Sequence, residues 1–238
     1  MNKTFEPDFR NVYEKANELL MCSSFIRTFP FAIDKVIEEE TDIEIVGFNE
    51  IRKMGANPEE ILGSKDGILQ EQNGRYIMFI NEEMPECRKI FTKGHECGHY
   101  FLCHDLKKLN YYKLKDLEKF NKLYSKYEVE TNMFAAQLFM PEQVLIELSK
   151  RGCHITVEFL TKTFAVSKEA AERRIKLFQK VYEWDSSRKY KNTYALSYDD
   201  LILQKFKSFI DKHSHRKNTY EYDLERELEL ERERQSWY

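Results

Sequence analysis

The stretch that most constrains this chain is His95-Glu96-Cys97-Gly98-His99. On a helix, residues four apart share one face, so both imidazoles can reach a single metal ion. Glu96 sits one position along, where its carboxylate can take a proton from a metal-bound water. Two histidines at this spacing also occur on partly buried helices with no metal, so the outcome turns on a third ligand. Catalytic zinc usually keeps three protein ligands and leaves a fourth position for water.

The candidate third ligand lies in the segment Tyr127 to Pro141. Glu130 opens a helical face that continues through Met133, Phe134, Gln137 and Leu138. Ala135 and Ala136 are small enough to let this helix approach the first, and Pro141 ends it for want of an N–H. Glu128 is the alternative ligand. It points to a different face from Glu130, so only one of the two is expected to reach the metal.

Arg88 to His99, followed by Glu130 to Pro141, resemble the ImmA/IrrE-type zinc metallo-endopeptidases. The second block is the more discriminating, because His-Glu-x-x-His is shared by many zinc peptidases. Leu160 to Ile175 adds a weaker match, similar to the helical segment that follows the peptidase core. The resemblance spans residues 11–183. It implies a zincin-like, gluzincin-type core in which His95, His99 and Glu130 bind Zn2+ and Glu96 is the general base. It also implies a protein substrate, a helix-turn-helix repressor or antitoxin cut in response to a stress or mobile-element signal. The chain departs from the family at Cys103, where members often carry a histidine four residues after the second metal histidine. His104 follows instead, and no role transfers to it. Cys97 stands where an aliphatic residue is common.

Composition fits such a protein. A hydrophobic content of 42% with 17 Phe and 14 Tyr can bury a core. The net charge of −3 argues against a general nucleic-acid binder. Five cysteines without a Cys-x-x-Cys framework point to reduced thiols and a cytoplasmic location. Met1 to Arg10 lack the apolar core of a signal peptide. No stretch approaches the roughly 18 apolar residues of a membrane span.

Periodicity predicts helices from Asn11 to Arg27 and from Phe31 to Glu40, then a strand from Asp42 to Phe48. Gly67 to Gln72 and Arg75 to Asn81 read as strands joined by Asn73-Gly74, a strong hairpin signal. The metal helix follows from Arg88 to Cys103, and further helices from Pro141 onward. The expected class is α+β, a small antiparallel sheet against a mainly helical core with a helical C-terminal region. The chain divides into a core over 11–152, a helix-turn-helix-like segment over 153–184 and a charged extension over 185–238.

Several segments carry two readings. Lys168, Arg173, Arg174 and Lys176 could contact phosphates, but Glu169 and Glu172 interleave with them and favour packing. Lys107 to Tyr127, rich in lysine and tyrosine, is either a lid or exosite for an acidic partner or an amphipathic helix with a solvated face. Glu221 to Arg234 is a charge-dense helical stretch, and His213-x-His215 a weak metal signal. The strand from Arg75 to Asn81 could align an extended substrate. Tyr76, Tyr100 and Tyr127 are oxyanion donors by residue type alone. The alternative to an enzyme is a non-catalytic zinc-containing regulator that binds a repressor or DNA. Its closed site would draw a fourth ligand from Cys97, Cys103 or His104.

Overall fold

A computed structural model describes residues 5–187 and 198–214; the stretch Glu221 to Arg234 and His215 lie outside the described residues. The elements, in order, are α1 (Phe9–Cys22), α2 (Ile33–Glu40), β1 (Ile43–Gly47), α3 (Phe48–Lys53), α4 (Pro58–Leu62), β2 (Gly67–Gln72) and β3 (Arg75–Ile80). Then come α5 (Glu86–Phe101), α6 (Leu106–Lys115), α7 (Leu117–Phe139), α8 (Glu142–Lys150), α9 (Val157–Phe164), α10 (Lys168–Ser187), α11 (Asp199–Lys205) and α12 (Lys207–His213). The class is α+β. None of the described helices is long and apolar enough to cross a membrane.

The hairpin forms where the sequence places it. Asn73 and Gly74 take φ of 55° and 80°, the left-handed pair that a two-residue turn requires. β2 then runs antiparallel to β3, with Gly67 opposite Ile80 and Gln72 opposite Arg75. The sheet as a whole is mixed rather than antiparallel. β1 pairs in parallel with β3, Ile43 opposite Tyr76, giving the order β1-β3-β2. The reason is the crossover through α3, α4 and β2, which returns the chain to run beside β1 in its own direction. β3 is therefore central, and β1 and β2 are the two edge strands.

Local signals set the helix ends. The Asn57 side chain accepts from the Glu59 N–H, and Pro58 opens α4. Thr156 caps α9 in the same way, and the Ser167 hydroxyl accepts from the Ala170 N–H at the start of α10. One apolar cluster runs from Val12 of α1 through Phe134 and Leu138 of α7 to Ile210 of α12. Leu160 and Phe164 of α9 and Ala170 and Ala171 of α10 join it.

Arg174 of α10 is 2% exposed and donates through Nε to the Met140 carbonyl and through Nη2 to Gln137 Oε1. It bolts α10 onto the end of α7, which gives this arginine a packing role. Arg173 pairs with Glu169, and Lys168 with Glu172.

α5 and α7 pack closely because two glycines lie four apart on α5. A Cβ on Gly98 would sit 3.1 Å from the Thr131 Cα, and one on Gly94 would sit 2.3 Å from the buried Phe139 ring. The closest approach thus depends on α5, not only on the alanines of α7. Gly94→Val should overpack this seam and lower stability by about 1–3 kcal/mol, read as a drop in the thermal midpoint. An unchanged midpoint would mean that the two helices do not touch there.

Candidate metal centre

α5 presents His95 and His99 on one face, their rings 5.4 Å apart. α7 brings Glu128 across from them. Glu128 Oε2 lies 3.5 Å from His95 Nε2, and its Oε1 lies 3.8 Å from His99 Nε2. One ligand atom from each of the three lies within 4.8 Å of the others. With zinc–ligand bonds of about 2.0–2.2 Å, tetrahedral ligands stand some 3.3–3.5 Å apart, so a small contraction closes this set on one ion.

The electrostatics suit a cation. His99 is buried, and its pKa falls well below the ordinary value, first through burial and then through the charges of His95 and His104. It is a neutral imidazole with a lone pair to offer. At His95, burial works against the charged form, but the Glu128 hydrogen bond and the Glu96 and Glu128 charges prevail and raise its pKa. Thr131 Oγ1 lies 3.1 Å from His95 Nε2.

Glu130, the expected third ligand, sits elsewhere. It is 4% exposed; its Oε2 is 3.0 Å from His104 Nε2, and its Oε1 accepts the Asp8 N–H at 2.7 Å. Lys126 stands 3.8 Å away. Two residues along a helix turn through about 200°, so Glu128 and Glu130 face opposite ways. α7 is buried on two sides. Thr131 and Phe139 face α5, whereas Glu130 and Gln137 face α1, where Gln137 donates to Asn17. The stripe from Glu130 through Gln137 is real, but it meets α1. A signal for Glu128 existed in the α5-facing series Glu128, Thr131, Ala135, Phe139.

The residues proposed for a fourth ligand do not join the group. Cys97 is wholly buried in the apolar core, and burial pushes its thiol pKa up. Cys103 is exposed, and His104 is held by His99 and Glu130. Among the described residues, the three-ligand group is the one cluster suited to a metal.

Glu96 is 6% exposed, and its Oε2 accepts the Leu69 N–H at 2.7 Å. That N–H points away from β3, off the free edge of β2. Burial raises the Glu96 pKa, with His95 and the Leu69 N–H opposing and Glu128 adding to the rise. The metal group and Glu96 open onto a cleft of about 1230 Å³, bounded by β2 at Ile68 to Gln70, α6 at Leu109 and Lys113, and α10 at Arg173. The edge strand at this cleft is β2, not the strand from Arg75 to Asn81, which is central.

Tyr76 and Tyr100 pack edge to face on each other, and Tyr127 stacks on His104. The tyrosine that lines the cleft is Tyr124, one turn before Glu128 and hydrogen-bonded to it. Sequence reasoning passed over it, although its i−4 spacing from Glu128 placed it on the same face. In the lysine-rich stretch, Lys119 pairs with Asp116 and Lys122 with Glu118, while Lys113 lines the cleft. His213 Nδ1 meets the Phe209 carbonyl at 2.8 Å, which accounts for that histidine without a metal.

No curated protein matches the chain. The family model for peptidase M78, described as an IrrE N-terminal-like domain, matches residues 52–176, which takes in β2, β3, the whole of α5 and α7, and the start of α10. With the His-Glu-x-x-His helix, its facing glutamate and the zincin-like α+β frame inside the matched region, the chain belongs to the peptidase M78 family of IrrE N-terminal-like domains.

Proposed function

We propose that this protein is a zinc-dependent, site-specific endopeptidase in which His95, His99 and Glu128 hold the metal and Glu96 is the general base. The observation that carries it is the convergence of those three side chains beside a buried carboxylate at the wall of an open cleft. The substrate class follows the resemblance to ImmA/IrrE-type enzymes: a helix-turn-helix repressor or antitoxin. Five cysteines, none of them in a disulfide, suit a reducing cytoplasm.

When bound, zinc supplies Lewis acidity, acidifying water and polarising a carbonyl. The chain's own residues do the rest. The Leu69 N–H fixes Glu96 through Oε2 and leaves Oε1 to take the proton of the attacking water and pass it to the leaving amine. The outer edge of β2 aligns an extended substrate by backbone pairing beside that carboxylate. Tyr124, across the cleft on α7, hydrogen-bonds Glu128 and holds that carboxylate toward the two histidines.

The test is elemental analysis of the purified chain together with cleavage of candidate repressors before and after chelation. One zinc per chain is expected, with cleavage abolished by chelator and restored by zinc. A wild-type chain that carries no metal after zinc-replete purification would overturn the proposal.

A further inference from the structure

We propose that His104 and Glu130 are a positioning pair that fixes the tautomer of His99 and thereby sets metal affinity, given the metal site proposed above. α5 ends in a left-handed turn at Cys103, φ 53°. The Cys103 N–H bonds the Tyr100 carbonyl and the His104 N–H bonds the His99 carbonyl, both at 3.0 Å. These two bonds define a Schellman ending, which brings the residue after the turn against the one five positions earlier. That contact is usually apolar. Here it is imidazole on imidazole, His104 Nδ1 lying 3.0 Å from His99 Nδ1.

Two nitrogens at this distance need one hydrogen between them. His104 Nε2 is 3.0 Å from Glu130 Oε2, and a carboxylate only accepts. A metal on His99 Nε2 requires that ring's hydrogen on Nδ1, so His104 Nδ1 must accept it and the one hydrogen of His104 sits on Nε2, toward Glu130. His99 then donates from its own Nδ1, which leaves its Nε2 lone pair facing Glu128 and the cleft. The relay is rigid at both ends. The Asp8 N–H holds Glu130 Oε1 at 2.7 Å, and the His104 ring lies flat on Tyr127, 3.8 Å between centroids at 6°. Metal-ligating histidines commonly hand their second N–H to a carboxylate directly. Here a second histidine is interposed, which accounts for a fully buried Glu130 that does not reach the metal group.

The experiment measures zinc affinity by competition with a chelating dye and reads the His99 tautomer by nitrogen-15 NMR of the zinc-free protein. The wild type should show His99 protonated at Nδ1. His104→Phe keeps a ring to stack on Tyr127 but removes the acceptor, so zinc binding should weaken about 10- to 100-fold. His104→Asn offers an oxygen near the Nδ1 position and should recover affinity to within about threefold of wild type. Glu130→Gln can present an N–H to His104, reverse the donors and push His99 toward the Nε2–H form, with a loss similar to that of the Phe variant. A purely structural role would reverse the first two, since Phe packs better than Asn. Wild-type zinc binding combined with affinities within about twofold for the Phe and Gln variants, and an unchanged tautomer, would overturn the proposal while leaving the metal site standing. A wild-type chain that binds no zinc would remove the metal site and this pair together.

Discussion

Glu96→Gln is expected to keep one zinc per chain and to lose cleavage, with kcat falling about 10²- to 10⁴-fold at little change in KM. The amide oxygen can still accept the Leu69 N–H that holds Oε2 at 2.7 Å, so the local structure should persist. What disappears is the capacity to take a proton. The same variant makes a stability prediction whose sign is fixed by the Glu96 pKa. Burial raises that pKa, so the folded state holds the proton more tightly than the unfolded chain does. Between the ordinary carboxylate value and the raised one, unfolding releases a proton, and stability falls as pH rises. Gln carries no such penalty. In chelated protein, the thermal midpoint of Glu96→Gln should match or exceed that of wild type at neutral pH, and the two should converge toward acid. Cleavage surviving in this variant would sink the general-base role, and a lower midpoint at neutral pH would contradict the buried, raised carboxylate.

Glu128→Ala should lose zinc on desalting, and with it all cleavage, whereas Glu130→Ala should still bind one zinc when the metal is in excess. The contrast follows from which face of α7 each residue occupies. Glu128 presents its two oxygens to His95 and His99 at 3.5 and 3.8 Å. Glu130 is spent on His104 and the Asp8 N–H. With Glu128 gone, two histidines remain, one short of the usual catalytic set. With Glu130 gone, His104 loses its anchor but the ligands stay, so affinity should fall without stoichiometry changing. Elemental analysis of both variants separates the cases. Zinc retained by Glu128→Ala and lost by Glu130→Ala would restore the ligand set that the family resemblance implies.

The features legible in the sequence are those set within a single helix or turn. His95, Glu96 and His99 share a helix, and the spacing of residues on a helix does not depend on what surrounds it. Asn73-Gly74 makes its hairpin because those two residues tolerate positive φ. Asn57, Thr156 and Ser167 cap their helices through side-chain contacts two or three residues away. The features that only the tertiary structure decided all involve a choice between partners distant in sequence. β1 chose a parallel place beside β3 because of a crossover, which strand periodicity cannot register. α7 is buried against both α1 and α5, so it carries two inward stripes, and periodicity alone did not say which one meets the histidines. Its rotation, set by Gly98 against Thr131 and by Gln137 against Asn17, turned Glu128 toward His95 and His99 and Glu130 away from them. His104 falls one residue late for the family pattern, yet the left-handed turn at Cys103 folds it back onto His99. Local chemistry determined the motif and its helix; the packing of α7 against two neighbours at once determined which carboxylate faces the two histidines.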